Sequence, residues 1–113
     1  MSIRAQGLRT WLWQRFTAAY LAVFIIVSGL GWFISGPWDY ASWRAIWTDP
    51  ILIIAIVMFF AALFVHTWGG VRDIIVDYVP AGSPRFMVLT FLVLFLIVLA
   101  IWVALIILRV VGT

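Results

Sequence analysis

The stretch FFAALFVHTWGGVRDIIVDYV, residues 59–79, decides the fold, because it joins a long apolar run to a single histidine. His66 is the only histidine among the 113 residues of the chain. An apolar run of this kind predicts a helix that crosses a membrane. An ionisable side chain inside such a helix is costly to place and is usually functional. What His66 binds is therefore the main question that this sequence raises.

The composition is that of an integral membrane protein. Hydrophobic residues make up 67% of the chain and charged residues 10%, whereas soluble domains are about half apolar and a quarter charged. The absence of cysteine excludes disulfides, iron–sulfur ligation and covalent haem attachment. The basic pI of about 10.2 reflects arginines at membrane edges, which set orientation, and we expect no nucleic-acid partner.

Charged residues divide the chain into three uncharged runs. The runs cover residues 16–38, 50–71 and 86–108. Each is at least as long as the about 20 residues that a helix needs to cross the hydrocarbon core. A lone segment in lipid must pair its own backbone groups, so each run predicts a helix. We expect one all-α membrane domain over residues 1–113, with helices at about 16–34, 51–76 and 86–108.

The arginines also predict the orientation. Five lie in the N-terminal arm or in the second loop (Arg4, Arg9, Arg15, Arg72 and Arg85), and two lie on the other side (Arg44 and Arg109). Because arginine accumulates on the cytoplasmic side, the N-terminus is expected in the cytoplasm and the C-terminus outside. The long first apolar run lacks a small-x-small cleavage site and is not expected to be a cleaved signal peptide. A bacterial inner membrane is the simplest location.

His66 admits several interpretations. It lies six residues before Arg72, about 9 Å inside the membrane edge. A histidine there could hydrogen-bond a neighbouring helix, relay protons or bind a metal. A relay needs further ionisable groups at this depth, and a bare metal needs three or four ligands, neither of which the sequence offers. Haem needs only one or two axial ligands and is the favoured interpretation.

The residues around His66 support binding of haem, but the chain can supply only one histidine ligand. Gly69 and Gly70 remove side chains from the helix face one turn on, which leaves space for a close helix or for the edge of a macrocycle. The chain has no second histidine, so the other half of a haem site must come from a different subunit or from a two-fold copy. Arg15, at the start of the first helix, suits haem propionates, although it equally fits a simple topology signal.

Two segments together resemble a known family. The segments HTWGGVRDIIVDYV at 66–79 and WQRFTAAYL at 13–21 are similar to the small hydrophobic membrane anchor subunit of bacterial succinate dehydrogenase. That family has a His-x-Trp-x-Gly element in the second helix, an Asp-Tyr pair after it, and an Arg-x-Thr-Ala element in the first helix. The matching positions here are His66, Trp68, Gly70, Asp77–Tyr78 and Arg15–Thr17–Ala18.

The resemblance implies roles for individual residues. His66 would be an axial ligand to the iron of haem b, with the second imidazole supplied by the larger cytochrome b anchor subunit. Arg15 would lie near the haem propionates. Tyr78 would hydrogen-bond a ubiquinone carbonyl close to the iron–sulfur subunit, with Asp77 in the vicinity of the quinone. From the residues alone, Tyr78 equally fits an interfacial aromatic anchor.

The implied function is that of a membrane anchor subunit of succinate:quinone oxidoreductase. It has no catalytic residues of its own. Succinate would be oxidised in a flavoprotein subunit, and electrons would pass through the iron–sulfur subunit to quinone. Two alternatives remain: a non-redox membrane scaffold or assembly subunit, and a homodimeric haem b protein in which two copies of His66 bind one iron.

Overall fold

The computed structural model describes residues 3–112 of the chain, and the side chains of residues 7–112. The described part consists of four helices with no strand: α1 Ile3–Ser35, α2 Tyr40–Ile46, α3 Pro50–Tyr78 and α4 Ser83–Gly112. α1, α3 and α4 are long and apolar enough to span a membrane, which confirms the predicted all-α fold with three transmembrane helices. The side chain of Arg4, used in predicting the orientation, lies outside the described set.

The long helices extend beyond the segments expected from charge alone. α3 contains 29 residues, which corresponds to about 44 Å of helix against a hydrocarbon core of about 30 Å. A helix of this length extends beyond the hydrocarbon core into the headgroup region. Asp73, Asp77 and Tyr78 lie in its last two turns and are exposed, so α3 places them at or beyond the membrane edge.

α3 is the central helix, since both α1 and α4 pack against it. Between α1 and α3, the Tyr20 hydroxyl donates to the Ala55 carbonyl at 2.8 Å, and the rings of Phe24 and Phe59 stack with centroids 4.5 Å apart. Thr17 is the buried polar residue of this interface. Most large apolar side chains of the described residues remain exposed. Such a surface suits lipid or partner helices.

The connection between α1 and α3 contains α2, a short helix that was not expected from the sequence. Asp39 caps its start by accepting from the Ser42 amide at 2.9 Å, and hydrogen bonds from Ser42 lower the pKa of Asp39. Asp49 caps α3 in the same way through the amide of Ile51. Arg44 of α2 donates from Nη1 to the carbonyl of Val110 in α4, which ties this loop to the end of the bundle opposite Tyr78.

Candidate functional site

The His66 ring is oriented by a contact with α1. Its Nδ1 lies 3.1 Å from Oγ1 of Thr17, whose side chain is buried while the histidine is half-buried. Nδ1 is the ring nitrogen that meets α1, and within the described part of the chain Nε2 forms no hydrogen bond. The ring is therefore held on one edge, with Nε2 left as the nitrogen able to bind a further group.

Gln14 reaches the same edge of the imidazole. In the amide orientation that satisfies both of its ends, Nε2 of Gln14 lies 2.9 Å from Nδ1 of His66 and 3.3 Å from the His66 carbonyl. Its Oε1 accepts from the backbone amide of Gly70 at 2.6 Å. Gln14 and Thr17 lie three residues apart and so share one face of α1. The pair forms a second polar contact between α1 and α3, besides that of Tyr20 with Ala55.

Gly69 makes this contact possible. A Cβ atom added at Gly69 would lie 2.8 Å from the terminal amide of Gln14, and one at Gly70 would lie 3.5 Å from it. A side chain at Gly69 would therefore push against Gln14, whereas the distance at Gly70 is an ordinary van der Waals contact. The sequence left two uses open for this small-residue face, a close helix or a macrocycle edge, and at Gly69 the structure places the close helix, α1.

Tyr78 and Asp77 occupy the end of α3, twelve and eleven residues after His66. Twelve residues correspond to about 18 Å of helix. The Tyr78 side chain is 84% exposed, and Asp77 is exposed beside it. Both are accessible to a ligand or a partner at this end of the bundle.

The end of α3 is held by Arg85 of α4. Arg85 donates from Nη2 to the carbonyls of Val76 at 2.8 Å and Val79 at 3.1 Å. These carbonyls belong to the last turn and the C-cap of α3, where no further helical donor is available. From the sequence, Arg85 was expected only to contribute to the orientation. A cation a few residues after a helix C-terminus is the signal that could have indicated this cap.

Arg15 lies on a different face of α1. It is two residues from Thr17, which is about 200° around the helix, and its side chain is exposed. Its guanidinium lies over the Trp11 ring, with Cζ 5.1 Å from the centroid. The structure therefore does not bring Arg15 into contact with His66.

Comparison with known proteins identifies the family of the chain. Residues 2–107 match the family described as succinate dehydrogenase/fumarate reductase transmembrane subunit. The chain belongs to this family. It is 33% identical over 101 residues to the succinate dehydrogenase hydrophobic membrane anchor subunit of Coxiella burnetii (strain RSA 493 / Nine Mile phase I), an alignment that covers 86% of this chain and 84% of the relative. No solved structure matches the chain.

Family membership confirms the resemblance predicted from the sequence, and the chain is a multi-pass membrane anchor subunit of the succinate dehydrogenase type. The residues at His66 fit a haem ligand of that family. A ligating histidine uses one ring nitrogen for the metal and donates from the other to a protein acceptor. Oγ1 of Thr17 beside Nδ1 can be that acceptor, and Nε2 has no partner in the described residues, whereas the Gln14 amide in the orientation above faces Nδ1 with a donor.

Proposed function

We propose that this anchor subunit supplies His66 as an axial ligand to haem b and Tyr78 as a hydrogen-bond donor to ubiquinone in succinate:quinone oxidoreductase. The second haem ligand would come from the cytochrome b anchor subunit. The observation that supports this most directly is the engagement of Nδ1 by Thr17, which orients the ring and leaves Nε2 for iron. Bound haem b would supply reversible one-electron transfer.

The other subunits follow from the same proposal. A flavoprotein subunit oxidises succinate, as in the tricarboxylic acid cycle, and an iron–sulfur subunit passes the electrons to quinone at the cytoplasmic edge of the bacterial inner membrane. Arg15, whose guanidinium is exposed, would lie near the haem propionates, as the family resemblance implies. The exposed apolar faces of the three long helices would contact membrane lipid and the cytochrome b subunit.

Tyr78 suits quinone because of its position and its chemistry. Its phenol is exposed at the end of α3, where the iron–sulfur subunit would dock. A quinone oxygen gains negative charge as it is reduced, so a phenol O–H aimed at that oxygen binds more strongly as the reaction proceeds. Asp77, exposed beside it, would lie in the vicinity of the quinone.

Replacement of His66 tests the proposal. In the purified complex, His66→Ala should abolish or shift the reduced haem b spectrum, because one axial ligand is lost. Thr90→Ala, at an exposed position on α4, is the matched control and should leave the spectrum unchanged. An unaltered spectrum in His66→Ala would reject ligation and leave His66 as a hydrogen-bonding residue between helices. Flavin and iron–sulfur polypeptides should co-purify; a coloured complex without them would favour the homodimeric haem protein.

A further inference from the structure

The hydroxyl of Thr17 has a single proton, and the backbone takes it. Oγ1 donates to the Trp13 carbonyl at 2.7 Å, with the Gln14 carbonyl at 3.2 Å, as threonine commonly does within a helix. Toward Nδ1 of His66, at 3.1 Å, the same oxygen can then only accept. Thr17 therefore stabilises the tautomer that carries its proton on Nδ1, in which Nε2 keeps its lone pair.

Gln14 stabilises the opposite tautomer. When its Oε1 accepts from the Gly70 amide, its NH2 group faces Nδ1 at 2.9 Å. A donor at that distance requires a lone pair on Nδ1, which places the ring proton on Nε2. In this tautomer Nε2 cannot bind iron. The two α1 side chains thus favour different protonation patterns of the same imidazole.

We propose that Thr17 is the positioning residue that sets the ligating tautomer of His66, and that Gln14 opposes it. This rests on the proposed ligation of haem b by His66. Donation from Nδ1–H to Thr17 makes the imidazole a more basic ligand, which stabilises ferric over ferrous iron and lowers the midpoint potential. When Nε2 binds iron, the Gln14 amide must turn or withdraw and so lose its hydrogen bond with the Gly70 amide. The loss of this bond weakens ligation. α1 therefore tunes the potential of the haem through two side chains.

Two substitutions should shift the midpoint potential in opposite directions. Thr17→Val keeps the side-chain shape but removes the acceptor, so the potential should rise and the haem should be retained about tenfold less tightly. Thr17→Ser restores the oxygen and should return both values towards the wild type. Gln14→Leu removes the competing donor, so the potential should fall. Thr90→Val, exposed on α4, controls for loss of a threonine elsewhere.

The measurement is an anaerobic redox titration of haem b in the complete complex, together with the electron paramagnetic resonance spectrum of the ferric haem. Opposite shifts in Thr17→Val and Gln14→Leu, with an altered ferric spectrum, support the inference. If His66→Ala removes the haem signal but both variants keep the wild-type potential, the tuning inference is wrong and ligation stands. If His66→Ala keeps the signal, the proposed ligation itself fails. Should Thr17→Val not assemble, an unshifted Gln14→Leu overturns the inference.

Discussion

Arg85, in the first turn of α4, donates from Nη2 to the carbonyl oxygen of Val76 in the last turn of α3, at 2.8 Å. The same guanidinium also binds the Val79 carbonyl. The C-terminal end of α3 is thereby capped by a side chain of the same subunit. Tyr78 lies between these two carbonyls in the sequence, so the backbone that presents it is fixed before any partner docks.

Removing this cap should impair quinone reduction. Arg85→Met keeps the length of the side chain but leaves the carbonyls of Val76 and Val79 without their donor. We expect quinone reduction to fall about tenfold, since small misplacements of reacting groups can cost up to about a hundredfold. Succinate oxidation with an artificial acceptor should be retained. Arg109→Met, exposed in the last turn of α4, is the control; equal effects in the two variants would contradict a local role.

Tyr78→Phe removes only the phenolic hydroxyl. Loss of one donor to a developing oxyanion typically costs about 100-fold or more, so quinone reduction should nearly cease while succinate oxidation with an artificial acceptor survives. The comparison of both activities in one preparation is the measurement. An unaffected rate of quinone reduction would leave Tyr78 as an interfacial aromatic anchor.

A large side chain at Gly69 should displace Gln14 and destabilise the complex. Gly69→Leu forces a branched side chain into the contact with Gln14, where even a Cβ would lie 2.8 Å from the amide. The Gln14 amide can move aside only by giving up its contacts with His66 and Gly70. We expect a cost of about 1–3 kcal/mol, so the thermal midpoint of the detergent-solubilised complex should fall. Gly29→Leu is the matched control, because a Cβ there meets nothing within 4 Å in the described structure. A similar loss in both variants would assign the effect to glycine replacement in a helix in general.

The predicted orientation can be tested directly because the chain has no cysteine. Single cysteines at Ser42, in α2, and at Ser83, at the start of α4, lie on opposite sides of the membrane. If the N-terminus is cytoplasmic, a membrane-impermeant maleimide added to spheroplasts should label Ser42→Cys. It should reach Ser83→Cys only after permeabilisation. The reverse pattern would invert the orientation predicted from the arginines.

The sequence predicted the long helices well because long apolar runs in lipid have few alternatives to a helix. It did not reveal α2, although Asp39 followed by Ser42 is a readable cap. His66 and Tyr78 could be proposed as site residues because polar groups are conspicuous in such a chain.

The neighbours of His66 were harder to predict. Helices that are apolar on every side give no periodic signal of which face meets a neighbour. The contact of Thr17 and Gln14 with His66 could therefore be identified only from the packing of α1 against α3 in the structure. The prediction that Arg15 lies near the haem propionates stays a prediction, since its exposed side chain lies on a different face of α1 from Thr17.

α3 runs without interruption from Pro50 to Tyr78. This continuity sets both the distance and the angle around the helix axis between His66 and Tyr78. Adding one residue between His66 and Tyr78 would lengthen their separation by about 1.5 Å and swing the phenol by about 100° around the axis. A substitution within the segment leaves this separation unchanged, whereas the gain or loss of one residue would misalign His66 with Tyr78.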